Sequence, residues 1–166
     1  DGSAILFAGQ SGSALPQPDK SSELFASDVW IGKINPQGKL LLEKKLGGSG
    51  PDRALAVAST TFGSAVFAGS SWSDDRDLRP NPPPFSNAWI GILSRSGDLL
   101  RQTIWGGSGH EWATSIVATR DGGFLVSGFT TSPELDSSRS RVNGDAWLIQ
   151  LDLTGNIIWK QIFKKP

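Results

Sequence analysis

A five-residue motif centred on tryptophan recurs about every 59 residues, and that fixed interval restricts the fold more than any other property of the chain. Asp28-Val29-Trp30-Ile31-Gly32 returns as Asn87-Ala88-Trp89-Ile90-Gly91 and as Asp145-Ala146-Trp147-Leu148-Ile149. Gly47-Gly48-Ser49-Gly50 returns as Gly106-Gly107-Ser108-Gly109. Ile5-Leu6-Phe7-Ala8-Gly9 matches Ala65-Val66-Phe67-Ala68-Gly69 and Phe124-Leu125-Val126-Ser127-Gly128. Markers that keep one spacing describe one supersecondary unit used repeatedly, each copy burying an apolar face against the next.

The last unit shows what the copies are made of. Ala113 to Thr119 reads as a strand, followed by the turn Arg120-Asp121-Gly122-Gly123 and a second strand from Phe124 to Phe129. A polar loop, Thr130 to Gly144, leads to a third strand, Asp145 to Leu151. The turn Asp152-Leu153-Thr154-Gly155 leads to a fourth, Asn156 to Phe163. Asp, Asn and Gly stand where tight turns need positive φ or a side-chain acceptor. The second strand is apolar on both faces, as a strand sandwiched between sheets must be. The fourth carries Glu43, Lys44, Lys45, Arg101 and Lys160 in its copies, the charge expected on an outer edge. Leu40 to Leu46 alone resembles a helix, but its counterparts Leu99 to Trp105 and Ile157 to Phe163 are β-rich, and the repeat decides for strand.

These strands predict an all-β fold: a β-propeller-like array of three four-stranded antiparallel blades. The array is one domain over residues 1–166, with units at about 1–46, 47–105 and 106–166. The first blade opens at its second strand and so lacks the inner one, which gives eleven strands. Trp30, Trp89 and Trp147 are the right size to fill the gaps between sheets, a better reading than a sugar-stacking platform. Rings of such blades usually close with about four to eight members. Three blades therefore leave apolar faces to be covered by further subunits, by self-association or by more of the same chain. With no Met at its start, the chain is expected to begin downstream of a translation start.

Composition removes several classes of function. Lys plus Arg and Asp plus Glu both number 16, so no long-range field draws in nucleic acid or an anionic membrane. No apolar run reaches the roughly 18 residues of a membrane helix. Without Cys there are no disulfides and no thiolate metal sites. His110, the single histidine, cannot build a His-rich metal centre.

Trp30-Ile31-Gly32-Lys33-Ile34-Asn35-Pro36-Gln37-Gly38, a Leu-rich strand, then Leu46-Gly47-Gly48-Ser49-Gly50-Pro51-Asp52-Arg53-Ala54 resembles the bacterial SBBP-type β-propeller repeat. So does Gly122-Gly123-Phe124-Leu125-Val126-Ser127-Gly128-Phe129-Thr130-Thr131-Ser132. The resemblance covers nearly the whole chain. It implies an exported or surface-exposed protein of bacterial type with no assigned chemistry. The acidic pair usual after the Gly-Gly-Ser-Gly turn is reduced here to Pro51-Asp52 and His110-Glu111.

No catalytic constellation stands out. There is no Gly-x-Ser-x-Gly elbow between a strand and a helix, and Gly-Gly-Ser-Gly is followed by neither Lys nor a helix. Candidate acids for glycoside hydrolysis all lie in repeat turns or variable loops. Asp74-Asp75-Arg76-Asp77 offers oxygen ligands without the spacing of a calcium loop, and reads as a solvated loop. Asp28, Asn87 and Asp145, recurring at the start of the third strand, read as caps of nearby backbone N–H groups. No cofactor and no metal is expected.

The long loops differ in every copy while the strands match, and variable loops on a rigid frame are where recognition usually sits. They run over 10–27, 73–86 and 130–144. The candidate contact residues are Asp74, Asp77, Pro83, Phe85, Arg139 and Arg141. The expected function is a non-catalytic protein-interaction or scaffold module, partnered by other subunits or by itself through open blade edges. The alternative is a lectin-like propeller holding a glycan. Neither nucleic acid nor a membrane span is expected.

Overall fold

The computed structural model describes residues 4–12, 27–60, 63–75, 85–135 and 144–163. Within them the chain forms eleven strands and no helix: β1 (Ile5–Gly12), β2 (Ser27–Ile34), β3 (Leu40–Leu46), β4 (Asp52–Ser59), β5 (Ala65–Ser71), β6 (Asn87–Leu93), β7 (Leu99–Trp105), β8 (Glu111–Ala118), β9 (Phe124–Thr130), β10 (Asp145–Leu151) and β11 (Ile157–Phe163). They make three antiparallel meanders: β1-β2-β3, β4-β5-β6-β7 and β8-β9-β10-β11. The first lacks the strand that β4 and β8 supply to the others, so the eleven expected strands are present in the expected order. β8 starts at Glu111, two residues before the sequence expectation, because Glu111 and Trp112 pair with Thr130 and Phe129 ahead of a bulge at Ala113. No helix is long and apolar enough to cross a membrane among these residues.

The β2–β3, β6–β7 and β10–β11 turns share one design. Asn35 Oδ1 accepts from the N–H of Gln37 (3.1 Å) and Lys39 (2.8 Å), and Asp152 Oδ1 from Thr154 (2.8 Å) and Asn156 (2.9 Å). Those bonds, led by the Thr154 hydroxyl, hold the Asp152 carboxyl down to about 2. Gly38, Gly97 and Gly155 then take φ of 80°, 80° and 85°, where a side chain would be strained.

The sheets stack in chain order, with the second between the first and the third, and the stack is open. Two apolar clusters fill the two seams. Val29, Ile31, Ala54, Phe67, Trp89 and Leu93 lie between the first two sheets. Val66, Ile90, Trp105, Phe124, Val126, Trp147 and Ile149 lie between the second and third. Trp89 and Trp147 are 0% and 2% exposed, so both are core side chains. Each tryptophan stands opposite a glycine of the neighbouring strand: Trp30 at Gly9, Trp89 at Gly69 and Trp147 at Gly128.

One cross-strand pair shows how closely the tryptophan face of each sheet is filled. Phe7 faces Gly32, Phe67 faces Gly91, and Val126 faces Ile149. In the first two sheets the phenylalanine ring lies over the glycine, where a Cβ would overlap it, and meets tryptophan edge-on at 5.0 and 4.9 Å. The third sheet exchanges large-plus-none for medium-plus-medium, which keeps the number of side-chain carbons. A second difference involves the tryptophan N–H. Trp30 Nε1 donates to Glu43 (3.0 Å) and Trp89 Nε1 to Gln102 (2.9 Å). The matching residue beside Trp147 is Lys160, which has no acceptor, and Trp147 Nε1 is buried without a partner.

Two outcomes follow. Gly91→Ile alone should destabilise the fold by more than about 3 kcal/mol through overpacking, and adding Phe67→Val should recover most of the loss. Lys160→Gln, which gives Trp147 an acceptor, should stabilise by about 1 kcal/mol. Urea unfolding of the variants checks both.

Candidate functional site

The Gly-Gly-Ser-Gly turns and the β5–β6 and β9–β10 connections leave the sheets at one end, called here the loop end. At each turn three successive N–H groups point inward, the geometry of an anion nest. Each nest is filled by the protein itself. Gly48 N donates to Asp52 Oδ2, Ser49 N to Asp75 Oδ1 and Gly50 N to Ser73 Oγ, all at 2.8 Å. In the next copy Gly107 N donates to Glu111 (2.8 Å), Ser108 N to Glu134 (2.5 Å) and Gly109 N to Ser132 Oγ (2.8 Å). The turn is thus a structural lock, with no room for phosphate.

Asp52 and Glu111 are the centres of the locks and are 0% exposed. Ser71 and Ser73 donate hydroxyls to Asp52, and Thr130 and Ser132 to Glu111. Asp28 and Asn87, on the preceding sheet, approach Gly47 and Gly106 at points a Cβ would occupy. At the turn that leaves their own sheet these side chains therefore stand beside the Asp52 and Glu111 carboxyls, as well as at a strand start. Burial lifts the Asp52 and Glu111 carboxyls above their ordinary 3.8 and 4.5, against the pull of those hydrogen bonds.

The second feature of the loop end occurs in one seam only. Trp72, just past β5, lies 5.9 Å from His110 and 6.3 Å from Trp112, ring to ring. Trp112 stacks on His110 (5.1 Å, 27°) and on Phe129 (4.5 Å, 26°). Phe85 meets His110 edge-on at 5.0 Å, and the Arg53 guanidinium lies 5.8 Å from the Trp72 ring centre. Phe85 and Phe129 are 37% and 39% exposed, Arg53 is exposed, and the others are half-buried. Six side chains from β4, β8, β9 and two connections, β5–β6 and β7–β8, converge here.

His110 anchors this group. Its Nδ1 accepts the Ser86 N–H at 3.2 Å and lies 3.1 Å from Ser86 Oγ. The His110 backbone N–H donates to Thr131 Oγ1 at 2.8 Å. Ser86 is 0% exposed, so its hydroxyl has no route to a substrate and the pair is an anchor, not a nucleophile with its base. Burial lowers the His110 pKa from 6.5, in keeping with an imidazole that accepts a backbone N–H. The chemistry on offer is therefore contact: aromatic edges and faces beside one cation.

Of the residues picked from the sequence, Phe85 belongs to the cluster and Asp74 is exposed at its edge, past β5. Asp77, Pro83, Arg139 and Arg141 lie outside the described residues. Asp75 is tied to the Ser49 turn, and no group of three or more acids or histidines able to hold a metal occurs among the described residues. Sequence reasoning missed Arg53, Trp72, Trp112 and Phe129. Their signal is a break in the repeat. Arg53 pairs with Ser70 as Trp112 pairs with Phe129, and Trp72 bonds Pro51 as Thr131 bonds His110. The cluster therefore stands where the neighbouring copy has Arg, Ser, Pro and Thr. The chain matches no known family model, and no curated protein is found similar to it.

The two features titrate in opposite senses. A group lifted in the folded state, as Asp52 and Glu111 are, adds stability as pH falls through its folded value. A lowered His110 costs stability as pH falls below 6.5. On acidification from neutral pH the two trends oppose each other. His110→Asn should leave only the rise on acidification, measured as urea midpoints as the pH is lowered.

Proposed function

We propose that the chain is a non-catalytic protein-interaction module: a run of propeller-type blades acting as a rigid frame for one recognition patch at its loop end. The observation that carries this reading is the aromatic cluster with Arg53, placed in one seam of an otherwise repeated frame. Residues that only hold the sheets together recur in each copy. Trp72, His110 and Trp112 do not recur, and they stay partly open to solvent. Aromatic and Arg side chains are those that most often dominate protein contacts. The resemblance of the repeat to SBBP-type propellers supports the blade arrangement and an extracytoplasmic setting within a larger assembly.

The lectin-like reading is second. Trp72 beside an exposed Arg53 suits an acidic sugar, but a propeller lectin with one site per blade would repeat the cluster, and the first seam has Pro51 and Arg53 in place of His110 and Trp112.

Substitutions that import the neighbouring copy's residue remove the patch without opposing the frame. Trp72→Thr and Trp112→Arg should leave the melting temperature within a few degrees of the parent and abolish binding. The measurement is paired affinity capture from a bacterial envelope extract, read by mass spectrometry, beside a glycan array. A protein held by the parent and lost from both variants supports the reading. A saccharide with the same behaviour replaces it by the lectin reading, and capture indifferent to both substitutions overturns it.

A further inference from the structure

Each sheet has two unlike faces, and the chain makes the seam between them twice. One face carries the tryptophan: Phe67, Trp89 and Leu93 in the second sheet, 0 to 1% exposed; Phe124, Val126, Trp147 and Leu151 in the third, 0 to 2% exposed. The other face carries the flatter set that receives it: Val66, Ala68, Ala88 and Ile90 in the second sheet, 0 to 1% exposed. The end sheets leave one face of each kind uncovered. On the first sheet it is the tryptophan face, where Phe7, Trp30 and Ile34 are half-buried and Ile5 is 53% exposed. On the third sheet it is the receiving face. Its Leu125, Ser127, Ala146 and Leu148 occupy the places of Val66, Ala68, Ala88 and Ile90. The larger side chains on that face are also open: Val117 51%, Trp159 40% and Phe163 54%.

We infer that the receiving face of the third sheet is an interface for the tryptophan face of the first sheet of a second copy, joined head to tail. The occupant is a second copy because every copy carries both halves of the seam, and each half already packs against the other kind inside the chain. A head-to-tail contact uses different patches on the two partners, and two such contacts between two copies close a ring of six sheets. The inference rests on the blade arrangement proposed above, and Phe129, paired with Ala146, places one edge of the aromatic cluster on the same face.

The test is sedimentation of the 166-residue chain and two variants, with circular dichroism to confirm strand structure. Leu148→Glu charges the receiving face. Trp30→Arg charges the tryptophan face, with Glu43 at hand to take the new cation. The parent is expected at about 35 kDa, twice the 17.7 kDa chain, and each variant alone at the monomer mass. An equal mixture should form dimers again, since Leu148→Glu keeps a sound tryptophan face and Trp30→Arg a sound receiving face. A parent that stays monomeric up to about 100 µM overturns the inference. So does a mixture that stays monomeric, which would mean like faces meet. If either variant fails to fold, hydrogen exchange on the parent decides. Dilution must expose β2 and β10 ahead of β5 and β6, and exchange independent of concentration overturns the inference. Loss of association with capture at the loop end intact would leave the recognition reading standing.

Discussion

The burial of one sheet face by the next is the constraint from which the rest of this molecule follows. A single antiparallel sheet of three or four short strands has no way to remove both faces from water, and alone is at best marginally stable. Stacking solves that only if the faces are complementary. Here the solution is a large ring on one side and a small-residue surface on the other. Trp89 and Phe67 enter against Val29 and Ile31, and Trp147 enters against Val66 and Ile90. The glycine beneath each tryptophan and the glycine or isoleucine opposite residue 7, 67 or 126 follow from that packing. A full methylene too many in such a seam is felt at once.

The locks at the loop end belong to the same constraint. A stack held only by apolar contact can slide. A buried carboxylate that takes a turn N–H and two hydroxyls cannot slide without leaving charge unsatisfied. Asp52 and Glu111 therefore fix the level of each sheet against the one before, with Asp28 and Asn87 facing them across the seam. The cost of burying the carboxyls is visible as their raised pKa, and it recurs in both copies. A recurring cost with a recurring geometry has a structural purpose, so an acid in these turns does not indicate catalysis.

The repeat made the strands legible. Asp145–Leu151 and Phe124–Phe129 could be read almost to the residue because three copies report the same pattern, and even the helix-like Leu40–Leu46 resolves once its counterparts are placed beside it. The site was not legible in the same way. Trp72, Trp112 and Phe129 each look like ordinary residues of a β protein, and nothing in their local sequence says they share a corner. They meet because the end of β5, the start of β8 and the end of β9 are brought to one level by the locks. Attention fell instead on conspicuous polar loops, and of the six candidate residues picked there Phe85 and Asp74 alone lie within the described residues. His110 was visible as a singleton, but the part it plays depends on Ser86, which stands 24 residues before it.

Repetition also supplies a way to separate support from function within one chain. Residues that every unit needs must agree between units, as Trp30, Trp89 and Trp147 do, or change in compensating pairs, as Phe67 with Gly91 becomes Val126 with Ile149. A position that departs without a compensating partner is under some other demand. Trp112 in place of Arg53 departs together with His110 in place of Pro51, Phe129 in place of Ser70 and Trp72 in place of Thr131, and these residues compensate one another only by forming a half-open aromatic group. A seam that needed only closure is already closed in the first copy without them. What the extra rings add is a cohesive apolar surface at the rim beside a cation, which the frame itself does not require.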